Sequence, residues 1–188
     1  TRGQVPTGRL GGTMVSVELV QYPDVFLRTK SHEVKFPLDD RTQRLIPWMK
    51  KAMYQHNGIG LAAIQVGHQL RIFVMDCTRY ADKPQVFINP VIVKKSDETL
   101  TDFEGCLSAP GKRGEVKRHL RITLNYKNEE GEEHTKTFYN LEARCIQHEM
   151  DHLEGKLCID YGKTSNIGGE EDLLKAMVES NSRAKSDT

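Results

Sequence analysis

Gln147-His148-Glu149-Met150-Asp151-His152 sets two imidazoles four residues apart. On an α-helix, positions i and i+4 share a face one turn apart. His148 and His152 can therefore offer nitrogens to one metal ion, with Glu149 at the side of that face and in reach of a metal-bound water. H-E-x-x-H on a helix is a metal-hydrolase pattern, although charged helices also produce it by chance. Ile146, Leu153 and the small Ala143 set this helix against a core, and a buried pair of imidazoles needs partners that one shared ion supplies. The chain must furnish a third ligand from elsewhere and leave a position open if the metal is catalytic. Asn140 is the expected N-cap of the helix and Gly155 its expected stop.

Outward from this helix, alternation and turn residues mark strands. Ile122, Leu124 and Tyr126 alternate with polar residues, Asn128 to Gly131 turns the chain, and His134 to Tyr139 returns. Leu70 to Met75, Gln85 to Ile88 and Pro90 to Thr101 read as further strands, as do Val15 to Val20 and the short Leu157 to Ile159. Glu104 to Gly114 reads as a Gly- and Pro-bearing loop around Cys106. Tyr22-Pro23-Asp24 is a turn, followed by a helical turn at Val25 to Arg28. Leu45, Met49, Met53 and His56 recur at helical spacing, with Asp39 or Asp40 as cap, Asn57-Gly58 as stop, and Pro47 requiring a kink or a late start. Leu173, Leu174, Met177 and Val178 predict an amphipathic C-terminal helix. The expected class is α+β: mixed or antiparallel strands around a central metal-binding helix, with a C-terminal helix.

The 188 residues suit one domain. We assign it to residues 14–180, with 1–13 a tag or transit remnant preceding Met14 and 181–188 a frayed tail. The net charge of +1 recruits neither nucleic acid nor an anionic membrane. No apolar run approaches a membrane span or a secretory h-region. Cys77, Cys106, Cys145 and Cys158 are widely spaced, which favours free or metal-bound thiols in a reducing compartment over a disulfide framework.

Those cysteines compete for the third ligand position. Cys145 stands three residues before His148 and can face the metal, or be a small wall residue. Cys158 lies past Gly155 and reads as core, and Cys77 ends a strand. Cys106 follows Gly105 in a turn-rich loop, where glycine permits close backbone approach and frees N–H groups to face a reacting oxygen. It is the preferred ligand. Gln65 closes the small, apolar Gly58-Ile59-Gly60-Leu61-Ala62-Ala63-Ile64-Gln65. Its amide there is either a fixed donor or an ordinary surface group.

Three segments together resemble the peptide deformylase family: Gly58 to Gln65 for G-φ-G-φ-A-A-x-Q, Glu104-Gly105-Cys106-Leu107-Ser108 for E-G-C-φ-S, and Gln147 to His152 for Q-H-E-x-D-H. Order and spacing agree across roughly Val15 to Tyr161. Departures fall at Ile64, Val25 and Gly111 to Gly114.

The resemblance implies hydrolysis of the N-formyl group from the formyl-methionine that begins newly made polypeptides, with release of formate. It implies Cys106, His148 and His152 as metal ligands, Glu149 as general base, and the Leu107 N–H and Gln65 amide as donors to the developing oxyanion. Ile59, Cys145 and Leu141 are expected to wall a methionine pocket, with Gly60 letting the peptide backbone lie close. Glu104 and Arg118 either pair behind the Cys106 loop or form an exposed charge pair. The implied metal is Fe²⁺, with Zn²⁺, Ni²⁺ or Co²⁺ able to occupy the same donors. Implied partners are N-formylmethionyl nascent peptides and the ribosome, in a bacterial cytoplasm or in a plastid or mitochondrion. Two rival readings are an ordinary zinc endopeptidase, which takes its third ligand from His or Glu, and a closed non-catalytic site with Cys145 as fourth ligand.

Overall fold

The computed structural model describes residues 18–78 and 81–166. The first helix, α1, spans Asp40–Gln55, and Asp39 caps it by accepting a 2.7 Å hydrogen bond from the Thr42 N–H. Its start is early, so Pro47 sits in its interior. The second, α2, spans Asn140–Leu153 and carries the two histidines. Five antiparallel strands form one sheet: β1 (Gly60–Ala62), β2 (Ile72–Met75), β3 (Gln85–Lys95), β6 (Arg121–Lys127) and β7 (Glu133–Tyr139), in the order β1-β2-β3-β6-β7. A second antiparallel sheet orders β4 (Thr99–Gly105), β5 (Lys112–His119) and β8 (Thr164–Asn166).

The period-2 geometry of β2 and β3 explains how one sheet serves two helices. Ile72, Val74, Val86 and Ile88 pack with Leu45, Met49 and Met53 of α1. The alternate residues Phe73, Met75 and Phe87 pack with Ile146 and Leu153 of α2. The whole of β2, Ile-Phe-Val-Met, is consequently buried. On the α2 side Phe73 and Phe87 stack with centroids 4.7 Å apart. These two layers make α2 a buried, rigid platform, the condition for holding ligands on it.

The α+β class and the antiparallel strands hold. Several local expectations do not. Glu18 to Val20 is not a strand, and the Val20 N–H instead donates to the Gln65 carbonyl at 2.7 Å. Gln85 to Lys95 is one strand, not two. Its register shifts between Ile88 and Val91, and this irregularity accommodates Pro90, beside Asn89 at φ 51°. The expected loop from Glu104 to Gly114 is the end of β4, a turn, and the start of β5. Asn140 does not cap α2. Tyr139 takes that position without a side-chain bond, and Asn140 enters at φ 47°. Cys158–Asp160 is a 3₁₀ turn where a strand was expected. Gly155 does stop α2, at φ 73°, where a Cβ would lie 2.3 Å from the Arg28 carbonyl oxygen. The leading remnant, the C-terminal helix and the frayed tail fall outside the described residues.

Candidate metal centre and catalytic site

The site lies in a cavity of about 810 Å³ where the edge strands β1 and β4 face the exposed side of α2. His148 and His152 project from successive turns of α2, and the turn after β4 delivers Cys106. The Cys106 Sγ lies 3.3 Å from His152 Nε2, which lies 3.2 Å from His148 Nε2. All three donor atoms fall within 4.8 Å of one another. Tetrahedral coordination at ordinary zinc distances would separate two imidazole nitrogens by about 3.4 Å and a nitrogen from a thiolate by about 3.6 Å. The observed spacings match that shape, so the donor set fits one divalent cation. Cys145 is not part of it. Its sulfur is buried and faces the Ile59 carbonyl oxygen at 3.7 Å.

The protein fixes the tautomer of one ligand. His148 Nδ1 lies 2.9 Å from Glu104 Oε2, so Nδ1 holds the proton and Nε2 presents its lone pair. Glu104 is buried, and burial alone would raise its pKa. Hydrogen bonds from His148 and Arg118 outweigh this and hold it at about 2. Arg118 donates from Nε at 3.0 Å and from its terminal nitrogen at 2.9 Å, a two-point grip on the carboxylate. Its other terminal nitrogen donates to Asp151 at 2.6 Å, and the Tyr161 hydroxyl donates to the same Asp151 oxygen at 2.9 Å. The Glu104–Arg118 pair is therefore a buried bridge with direct access to a ligand, not an exposed charge pair.

Burial disfavours a proton on both imidazoles, and their neighbours then send the two in opposite directions. Burial, reinforced by His148, pushes His152 well below its ordinary range, toward the neutral form that a ligand needs. His148 is also desolvated, but its contacts with Cys106 and Glu104 pull it well above. A proton on its Nε2 and a cation at the three donors are alternatives, so loading an ion releases a proton.

Glu149 is 3% exposed, and its Oε2 has no hydrogen-bond partner among the described residues. Burial pushes its pKa up to about 7. A carboxylate so placed is poised to take and return a proton near neutrality. Gln65 is 2% exposed and held at both ends of its amide. Its Oε1 accepts from the Ala62 N–H at 2.8 Å, and its Nε2 donates to Ser108 Oγ at 3.2 Å while lying 3.7 Å from Cys106 Sγ. The carbonyl contact sets the amide orientation, so the NH₂ group faces the cavity. Leu107, Gly60, Ile59, Leu141 and Cys145 all line the same cavity. Gly60 leaves room for the Glu149 and Cys145 side chains, because a Cβ would lie 2.4 Å from Glu149 Oε1 and 2.8 Å from Cys145 Sγ and would displace them.

The family model described as polypeptide deformylase matches residues 16–166. The chain belongs to the peptide deformylase family. The peptide deformylase of Pseudoalteromonas translucida is 45% identical over 148 residues, which are 79% of this chain and 87% of that protein. That of Chlorobaculum tepidum is 48% identical over 143 residues, 74% of this chain and 75% of the relative. Among solved structures, a probable peptide deformylase from Synechococcus phage S-SSM7 superposes with a TM-score of 0.73 at 40% identity, covering 78% of this chain and all (100%) of that one. A class I type b peptide deformylase from Acinetobacter baumannii with Met-Ala-Ser bound gives a TM-score of 0.72 at 30% identity over 79% of this chain and 99% of that one. Peptide deformylases remove the N-formyl group from nascent polypeptides, and this chain is a metal-dependent hydrolase of that kind.

The sequence missed Arg144 and Asp151, whose charges serve the site indirectly. Arg144 stands one helical turn before His148, and Asp151 directly precedes His152. That spacing is the signal available, but polar residues on a helix ordinarily face solvent.

Proposed function

We propose that Cys106, His148 and His152 hold one Fe²⁺ in this enzyme, that Glu149 is the general base and acid, and that the Leu107 N–H and Gln65 amide bind the oxygen that gains charge. The observation carrying this reading is that three donor atoms within 4.8 Å share one cavity with a buried carboxylate and an oriented amide. A cysteine and two imidazoles suit Fe²⁺, Zn²⁺, Co²⁺ and Ni²⁺ alike, so the last three are expected to substitute in purified protein. The ion, when bound, supplies Lewis-acid polarisation of water and of the formyl oxygen.

The protein's residues do the rest. Glu149 takes a proton from the attacking water as a new C–O bond forms at the formyl carbon. Gln65 Nε2 and the Leu107 N–H donate to the oxygen as its negative charge grows. Glu149 then delivers its proton to the departing amine nitrogen as the C–N bond breaks. Formate and a free amino terminus result, with atoms and charge balanced. Ile59, Leu141 and Cys145 wall the methionine side chain, and Gly60 admits the peptide backbone. The bound Met-Ala-Ser of the Acinetobacter relative supports a methionine-led peptide as ligand. The same reading sets the enzyme beside ribosomes that make formylated chains, in a bacterial cytoplasm or in a plastid or mitochondrion.

The test is formate release from a formyl-Met peptide beside its acetyl analogue and an unformylated protein, with metal measured on the same sample. Formate release alone, tracking one metal per chain, is expected. Cleavage of the unformylated protein would favour the endopeptidase reading instead.

A further inference from the structure

Arg144 lines the substrate cavity yet spends its guanidinium elsewhere. One terminal nitrogen donates to Glu104 Oε1 at 2.7 Å and to the Val116 carbonyl of β5 at 3.2 Å. The other donates to the Leu100 carbonyl of β4 at 2.6 Å. Its side chain is 14% exposed, against 6% for that of Glu104.

Each Glu104 oxygen therefore accepts twice: Oε1 from Arg118 and Arg144, Oε2 from Arg118 and His148. An ionised carboxylate has about four lone-pair positions, so this one is saturated. Its rotation about the side-chain axis is blocked by both guanidiniums, and the His148 ring follows its orientation.

Arg144 also bridges the two elements that carry the ligands. It stands on α2, four residues before His148, and grips β4, whose end leads through Gly105 to Cys106. Arg118 joins Glu104 to Asp151 but does not line the cavity. Arg144 alone of the two touches both the substrate space and the carboxylate behind the ligand.

We infer that Arg144 is a positioning residue: through Glu104 it fixes His148, and through Leu100 it holds β4, the strand that leads to Cys106, against α2, so that the wall of the substrate cavity sets the geometry of the metal donors. The inference rests on the ligand assignment proposed above.

The test compares wild type, Arg144→Gln, Arg144→Lys and His148→Ala as full-length metal-free chains titrated with Co²⁺ against a chromophoric chelator. Visible absorption, melting temperature with and without Co²⁺, kcat and KM are also recorded. Loss of a group that orients a ligand typically weakens metal binding by about 10–100-fold. Arg144→Gln should show a loss of that size, altered Co²⁺ bands and a fall in kcat larger than any rise in KM. Arg144→Lys keeps the charge but reaches fewer acceptors, so it should recover part of the affinity.

Wild-type Co²⁺ affinity and bands in both variants, with only KM raised, would overturn the inference and leave Arg144 a cavity wall. A lowered metal-free melting temperature with unchanged affinity would also overturn it. If Arg144→Gln does not fold, Arg144→Lys is judged by the same criteria. Wild type binding Co²⁺ no better than His148→Ala would instead sink the ligand assignment itself.

Discussion

Gly60→Ala tests the catalytic geometry without touching a reacting group. The new Cβ would stand 2.4 Å from Glu149 Oε1, about 1 Å short of the 3.4 Å at which ordinary contact begins. The strand cannot yield easily. Gly60, Leu61 and Ala62 are buried and paired in register with Met75, Val74 and Phe73, beneath α1 on one side and α2 on the other. The Glu149 carboxylate must therefore move, and by about that distance. A misplacement of about 1 Å can cost on the order of a hundredfold in rate, which corresponds to roughly 2.7 kcal/mol in the barrier. Overpacking should cost a further ~1–3 kcal/mol of folding stability. The assay is formate release at saturating formyl-Met peptide, with metal content and melting temperature measured on the same sample. We expect kcat to fall about a hundredfold in a folded chain that retains one metal. A kcat within twofold of wild type would refute the argument, since the carboxylate would then tolerate displacement or β1 would have moved aside.

Glu149→Gln should retain metal and bind substrate while turnover falls roughly 10²–10⁴-fold, because the amide cannot accept and return the proton. Loss of metal in that variant would make Glu149 a support of the ligands. Gln65→Ala should fold and keep its metal but lose on the order of a hundredfold in kcat, or ~3 kcal/mol, as an oxyanion donor disappears. Normal kcat with reduced stability would return Gln65 to a structural role. Cys106→Ser should weaken metal binding or change its preference, as a hydroxyl is a harder ligand than a thiolate, and full retention of metal and activity, with Cys145→Ser inactive, would move the ligand to Cys145. Asp76 is desolvated, which would raise its pKa, but hydrogen bonds from Thr78, Tyr54 and Lys83 hold it at about 2 against an ordinary 3.8. Its folded pKa is depressed, so its stabilisation is complete above pH 4 and fades as pH falls from 3.8 towards 2. Urea denaturation should therefore show the gap between wild type and Asp76→Asn closing across that interval, and a gap that stays constant with pH would contradict it.

What could be read before any coordinates was local chemistry and local period. His148 and His152 declared their common face through spacing alone, and Ile122 to Tyr139 declared a hairpin by alternation. The hairpin of β4 and β5 did not. Leu100 and Phe103 are exposed on opposite faces and Asp102 and Glu104 keep the segment polar, so period and composition carried the strand reading only as far as Thr101. The consequence reached the site. Glu104 and Arg118 meet because the hairpin places Glu104 opposite Gly114 and carries Arg118 back to Leu100. Without that register their pairing was one option of two, and Arg144 had no visible partner. Gly60 was legible as a point of close approach, but its neighbour Glu149 lies 89 positions further along the chain, a contact that only tertiary packing reveals.

The bridge behind His148 also determines an electrical account of the cleft. Glu104 and Asp151 contribute two negative charges behind the ligand, and Arg118 and Arg144 contribute two positive ones, so the bridge itself is neutral. The bridge therefore steadies His148 without imposing a net charge on the donors in front of it. The charge that a substrate or product meets is set instead by the cavity wall, where Asp102, Lys112 and Arg113 stand.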